Sequence, residues 1–419
     1  MAQPPLLLEV RGLSTHFQTE EGELRAVDGV SFELRRGRTL ALVGESGCGK
    51  SVAAHSLLRL INPPGKIVAG SIRLHGPDGE DPLEILELPE HAAALYELRG
   101  GRAAFIFQEA TAALSPVHTI ANQMLEAIRL HKKINRRGAW RLGADMLAQV
   151  GIADPELCMR SYPHELSGGM RQRAVIAMAL VTDPELLIAD EPTTQLDVTI
   201  QAQILTLLRK LQAKLGTAIL LITHDLGVVA QMADDVCVMY LGRVVERAPV
   251  RTLLKTPRHP YSMGLCASQP SLTPVGRRLP SVKGTVPALR DIPAGCPFHP
   301  RCDHALPGRC HVGAPPPLES SSIAASAGAE GHAVACWRAR EIAMERLLER
   351  KLVPAIDTAI DTAEDTAIDT AEGAFGAPRS ELPTLPDPEL ELVTVRAPAV
   401  ADRTLPVETV PSPEEEGVE

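Results

Sequence analysis

Residues 39–51 read TLALVGESGCGKS. Thr39–Val43 is a short apolar run, the pattern of a buried strand, and it leads directly into a glycine-rich turn from Gly44 to Gly49 that ends on Lys50 and Ser51. Two glycines five residues apart followed by Lys-Ser match the phosphate-binding loop pattern in full. The strand before it and the helix it opens separate it from a chance glycine turn. The glycines let backbone N–H groups wrap phosphate oxygens, and the helix N-terminus adds partial positive charge. Lys50 is placed to reach the β- and γ-phosphates, and the Ser51 hydroxyl to ligate Mg²⁺. Gly44, Ser46, Gly47, Cys48, Gly49, Lys50 and Ser51 are therefore the candidate nucleotide contacts. Beside Lys50 and at a helix start, Cys48 is expected to be an acidified thiol.

Working outward, further apolar runs fall at Ala103–Phe107 (AAFIF), Leu186–Ala189 and Ala218–Ile222, with an amphipathic stretch over Val198–Leu215 between the last two. Val236–Met239 and Arg243–Val245 read as a closing hairpin. The segment from about Leu6 to Phe32 reads as short strands with a turn at Glu20–Glu23. From about Thr119 to Ala179 the pattern is mainly helical, with breaks at Asn135–Gly138 and Ser161–His164. The sum is an α/β core with a helical insertion at about residues 109–180. The run Leu186-Leu-Ile-Ala-Asp190-Glu191 ends a second buried strand on two carboxylates. Asp190 suits the Mg²⁺ shell, and Glu191 is placed to polarise an attacking water. An acidic pair there can also cap a turn; a phosphate loop in the same chain favours the chemical role.

Leu166-Ser-Gly-Gly-Met-Arg-Gln-Arg173 resembles the signature sequence of ABC ATPases. Ser167 and the backbone of Gly168 and Gly169 at a helix start form an anion site, and in the family this element caps the γ-phosphate held by the opposite subunit. Gln108 after AFIF resembles the family's glutamine loop, Asp197 in TTQLDVT its D-loop, and His224 in LLITHD its switch histidine. The resemblance implies a phosphate-loop (RecA-like) ABC ATPase core with a helical subdomain, and ATP with Mg²⁺ as ligands. It implies Glu191, His224 and Gln108 as the catalytic set, and Ser51, Gln108 and Asp190 as the Mg²⁺ shell. For the adenine, Phe17 is the stacking candidate, or Arg25 through its guanidinium. The chain departs from the family at Gln195, where a small residue is usual, at a loop that meets the partner subunit.

The resemblance continues past the ATPase. His259-Pro-Tyr261, GTVPAL, then Gly295-Cys-Pro-Phe-His-Pro-Arg-Cys302, Cys310 and Val334-Ala-Cys336-Trp337 are similar to the C-terminal extension of dipeptide and oligopeptide importer ATPases. GKSV and QMLEAI resemble the dipeptide D-type subunit. This implies a second, homologous ATPase as heterodimer partner, two membrane permease subunits and, indirectly, a solute-binding protein. It also implies a peripheral place on the cytoplasmic face of the inner membrane. The family also imports nickel and other small solutes, so the solute stays open. Cys296, Cys302, Cys310 and Cys336 fall within 41 residues, and in family members such cysteines carry a [4Fe–4S] cluster. By ligand count alone a Zn²⁺ fits four thiolates equally, and His299, His304, His311 or His332 can complete a Cys₃His site. Free thiols are the third reading.

Bulk properties bound the rest. The 419 residues carry a formal net charge of −10, but the acidity is local. Ala355–Glu419 holds 16 acidic and 3 basic residues, and the remaining 354 residues hold 39 basic and 36 acidic. No basic stripe of a nucleic-acid binder is present. A soluble ABC ATPase acting on ribosomes or nucleic acid usually needs a second cassette, a coiled coil or a basic arm, none of which is legible here. No apolar run approaches the roughly 18 residues of a membrane helix, and the N-terminus does not read as a signal peptide. The division expected is 1–257 for the nucleotide-binding domain, 258–340 for the Cys-rich extension, and 341–419 for a helical linker and disordered acidic tail. In that tail Asp357, Asp361, Asp365 and Asp369 recur every four residues.

Overall fold

The computed structural model describes residues 4–76, 80–194, 196–269, 282–320 and 331–352. Gln195 and the acidic tail, including its Asp repeat, lie outside the described residues.

Strands β1 (Leu6–Thr19), β2 (Gly22–Arg35), β4 (Gly65–Leu74) and β5 (Leu83–Glu84) form an antiparallel sheet in the order β2-β1-β4-β5. The short strands expected before residue 32 are instead two strands of 14 residues each. Register shifts interrupt their pairing between Val10 and His16, so the period-2 pattern breaks there and hides the continuity from sequence reading.

The second sheet holds β3 (Thr39–Val43), β6 (Ala103–Ile106), β7 (Leu186–Asp190), β8 (Ala218–Thr223), β9 (Asp235–Tyr240), β10 (Arg243–Pro249), β11 (Glu319–Ser320) and β12 (Ala333–Val334). Its order is β11-β12-β10-β9-β3-β8-β7-β6. The run from β9 to β6 is parallel, and β10 to β11 extends it antiparallel. Strand β3 sits centrally between β8 and β9, with all five residues buried, which is why it reads as an unbroken apolar run. The expected hairpin of β9 and β10 is present. Its outer edge is covered by β12, which lies in the Cys-rich segment between Cys310 and Cys336.

Between β6 and β7 lie helices Ala110–Ala113, Ile120–His131, Arg136–Gln149, Pro155–Arg160 and Gly168–Leu180. Asn135 is a cap rather than a break: its side chain accepts from Gly138 N–H at 2.8 Å, and the helix begins at Arg136. One apolar cluster fills the space between these helices and the sheet, including Met124, Ile128, Leu147 and Ile176. A second lies between the antiparallel sheet and β3, around the helix Lys50–Leu57. A third joins β3, β9 and β10 to Tyr261, Cys296 and Phe298 of the extension. The second and third clusters thus pack β3, which leads into the phosphate loop, from both faces.

Candidate functional site

The loop after β3 can form because its glycines occupy backbone that other residues avoid. Gly49 has φ +94°, and a Cβ there would lie 2.0 Å from the Ala26 carbonyl oxygen; Gly44 would clash with the Met239 carbonyl at 2.3 Å. The loop therefore packs directly on the backbone of β2 and β9. Lys50 is 6% exposed and folds back over the loop, its Nζ donating to the Gly44 carbonyl at 2.8 Å and the Glu45 carbonyl at 3.0 Å.

At the end of β7, Asp190 is buried, with the Ser51 hydroxyl beside it favouring its charged form. Its Oδ1 has no partner. Burial, the leading cause, pushes the Asp190 carboxyl above its ordinary range despite the Ser51 hydroxyl. A buried carboxylate oxygen without a donor, beside a serine hydroxyl, has the chemistry of a hard-cation ligand.

Glu191 stands in the left-handed region at φ +45°, a strained conformation for a residue with a side chain. Three groups hold its carboxylate: Thr194 Oγ1 at 2.8 Å, His224 Nδ1 at 3.0 Å and Gln108 Nε2 at 3.2 Å. Burial raises its pKa, but the hydrogen bonds from His224 and Thr194 outweigh this and hold it below the usual carboxylate range. The structure thus brings Gln108, Glu191 and His224 into one cluster from the ends of β6, β7 and β8.

Ser167 and Asp197 serve as helix N-caps, accepting from Met170 N–H at 3.3 Å and Ile200 N–H at 2.9 Å. Ser167, Gly168 and Asp197 are exposed and take no part in the Glu191 cluster. Gln172, which sequence reading did not single out, ties the signature helix to it: its Nε2 donates to the Pro192 carbonyl at 2.7 Å. Phe17 on β1 pairs across to Leu24 and Gly65, and Arg25 on β2 donates to Glu23 at 3.3 Å.

Cys48 corrects an expectation. It is fully buried, and desolvation raises its pKa despite Lys50 Nζ at 3.7 Å. Native protein should therefore be alkylated at Cys48 far more slowly than the unfolded chain, with or without nucleotide. Peptide mapping after iodoacetamide treatment checks this; rapid native labelling contradicts it.

In the extension, Cys296, Cys302, Cys310 and Cys336 line one cavity together with His259, His299 and His304. The Cys310 sulfur accepts the Leu306 N–H at 3.4 Å, and backbone N–H groups of Phe298 and His299, of His304 and of Arg338 favour the thiolate forms of Cys296, Cys302 and Cys336. Burial, reinforced by neighbouring thiols, pushes Cys296 up to about 11 and Cys336 to about 12. Among the described residues no group of three or more ligating side chains is assembled as a metal site, so the thiols converge without forming a finished ligand sphere. His332 is committed elsewhere, with Nε2 2.7 Å from the buried Glu246, and His311 does not line the cavity. The extension is anchored by apolar packing of Tyr261 and Phe298 on Tyr240 and by ion pairing of Arg301.

Among the described residues no helix is long and apolar enough to cross a membrane. Residues 27–194 match the ABC transporter family, and residues 245–310 match the family described as oligopeptide/dipeptide transporter, C-terminal region. A third family, AAA domain, putative AbiEii toxin, Type IV TA system, matches residues 161–230. The chain is 49% identical over 340 residues to the probable peptide ABC transporter ATP-binding protein y4tR of Sinorhizobium fredii, covering 80% of this chain and 96% of that protein. It is 45% identical over 317 residues to the oligopeptide transport ATP-binding protein OppD of Salmonella typhimurium, covering 76% and 91%. The fold matches the dimeric post-hydrolysis structure of the ATP-binding cassette MJ0796 bound to ADP and Pi, with a TM-score of 0.51 at 23% identity over 58% of this chain and 99% of that one. With a complete phosphate loop, its acidic strand end and the C-terminal extension all in place, the chain belongs to the ATP-binding proteins of the peptide and oligopeptide ABC importers.

Proposed function

We propose that this chain is the D-type ATPase subunit of a dipeptide or oligopeptide importer, hydrolysing ATP at a site built from residues 44–51, Gln108, Asp190, Glu191 and His224. The observation that carries the reading is the Glu191 carboxylate, held ionised by three donors next to the buried, unpartnered Oδ1 of Asp190. Ser51 and Asp190, with Gln108, would hold Mg²⁺, which when bound neutralises charge on the transferring phosphoryl group. Lys50 and the loop amides bind the phosphates, Glu191 accepts a proton from water, and His224 orients Glu191. Phe17 or Arg25 stacks on adenine.

Ser167, Gly168 and Asp197 are exposed and Gly169 is half-buried beside them, which suits groups that complete a site on a second, homologous ATPase. Two membrane permease subunits, fed by a solute-binding protein, complete the assembly, with this chain peripheral on the cytoplasmic face of the inner membrane. Nickel or another small solute is the alternative cargo. Residues 1–257 form the nucleotide-binding domain and 258–340 the Cys-rich extension. Reconstitution with co-expressed permeases in vesicles tests this: ATP turnover should rise when a peptide-loaded binding protein is added. Stimulation by a nickel-loaded protein and not by a peptide-loaded one would replace the peptide reading.

The four cysteines fit a [4Fe–4S] cluster by donor type and number, and the backbone N–H groups beside the sulfurs suit thiolate ligands. For the zinc alternative, His299 and His304 are the histidines at the cavity. Protein purified without oxygen should hold about four irons per chain, and Cys302→Ser should lose them. One zinc instead supports the zinc site, and neither metal overturns both.

A further inference from the structure

The side chain of Glu45 is given no role in the nucleotide chemistry above, yet the extension grips this residue on both sides. The Glu45 N–H donates to the hydroxyl of Tyr261 at 2.8 Å. The Glu45 carboxylate takes a two-point bond from Arg301, Nη1 to Oε2 at 2.6 Å and Nη2 to Oε1 at 2.9 Å. This pair spans 256 residues of sequence.

Arg301 is itself held rigidly. Its side chain is 4% exposed, its Nε donates to the Lys283 carbonyl at 2.7 Å, and its Nη2 donates to the Gly284 carbonyl at 3.3 Å. The guanidinium lies 5.8 Å from the ring centres of both Tyr240 and Phe298. Arg301 also closes the short turn His299–Arg301, between Cys296 and Cys302 of the cysteine cavity. The turn cannot shift without moving both the cysteines and the grip on Glu45. Inside the phosphate loop, the Glu45 carbonyl is one of the two that hold Lys50 Nζ. A continuous set of bonded groups therefore joins the cysteine cavity to the phosphate-binding lysine.

We infer that the Cys-rich extension is a brace on the phosphate loop, with Arg301 and Tyr261 as positioning residues for nucleotide binding, and that nucleotide binding and closure of the cysteine cavity are energetically coupled. This rests on the proposed nucleotide site. A two-point charged pair on a half-exposed loop fixes the loop's backbone before the phosphates arrive, so less ordering is left for binding itself. Coupling is reciprocal, so bound nucleotide must also favour the closed cavity.

The test uses the full chain stripped of any bound metal and kept reduced, so that the Cys302 thiol is free to react, with MgATP binding by titration and alkylation of Cys302 followed by peptide mapping. Arg301→Gln and Glu45→Gln should each weaken MgATP binding about tenfold, and the double variant should lose no more than the weaker single one. Arg301→Lys should recover part of the loss. In the wild type MgATP should slow alkylation of Cys302 several-fold, and in Glu45→Gln this protection should vanish. Glu45 lies on the solvent side of the pair, so its variant keeps the test open even if Arg301→Gln melts early. Wild-type affinity in both single variants, losses that multiply in the double variant, or Cys302 labelling indifferent to MgATP would each overturn the brace. Lys50→Ala separates the two readings: if it binds MgATP as well as the wild type, the nucleotide site is wrong, whereas its weak binding beside unaltered Glu45 and Arg301 variants removes the brace alone.

Discussion

Replacing Glu191 by Gln lowers the steady-state ATPase rate of the assembled transporter about 100-fold or more, while MgATP affinity stays within about twofold of wild type. The substitution keeps the size and the backbone at φ +45° but removes the negative charge that His224, Thr194 and Gln108 converge upon. An amide in that place cannot take the proton of the attacking water, and one of its two ends must present N–H groups to donors. Neither Lys50 nor the loop glycines bond to this carboxylate, so nucleotide binding survives. Because hydrogen bonds keep Glu191 below the usual carboxylate range, it is ionised throughout neutral pH. The variant's defect should therefore not be relieved by raising the pH. A turnover rate near wild type, measured by phosphate release in the reconstituted complex, contradicts the role.

Replacing Lys50 by Ala lowers MgATP affinity about 100-fold. The ammonium is nearly buried and bonded only to neutral acceptors, the carbonyls of Gly44 and Glu45 and, at 3.7 Å, the Cys48 sulfur. Phosphate oxygens offer it charged acceptors in place of these, and charge-assisted bonds are about twice as strong as neutral ones. The alanine variant loses that gain, and it also leaves the Gly44 and Glu45 carbonyls without their shared donor, loosening the loop. A fluorescent nucleotide titration measures the effect; unaltered affinity removes Lys50 from the site.

Local chemistry made much of the site legible. A glycine-rich loop after a strand, a serine or aspartate before a helix, and paired carboxylates at a strand end are each specified within a few residues. The phosphate loop, the helix start at Ser167 and the Asp190–Glu191 pair were therefore readable from the chain alone. The order of those elements then carried the cassette fold, because each buried strand announced itself as an apolar run. The two long N-terminal strands were less legible, since their register shifts break the alternation that sequence reading depends on.

Other properties depend on which distant segments pack together, and only the tertiary structure decided them. Cys48 sits beside a lysine in sequence, which suggests acidity, but the surrounding core excludes water and desolvation outweighs the neighbouring charge. Glu191 is poised by residues from two other strand ends, 83 positions before it and 33 after. Glu45 looks like an arbitrary loop residue until Arg301 and Tyr261 reach it from the far end of the fold. The sequence by itself determined which groups are available and the short-range backbone that presents them. Burial, and the pairing of charges far apart in the chain, belong to the fold as a whole, because solvent exclusion arises only once the sheets and the extension have closed over one another.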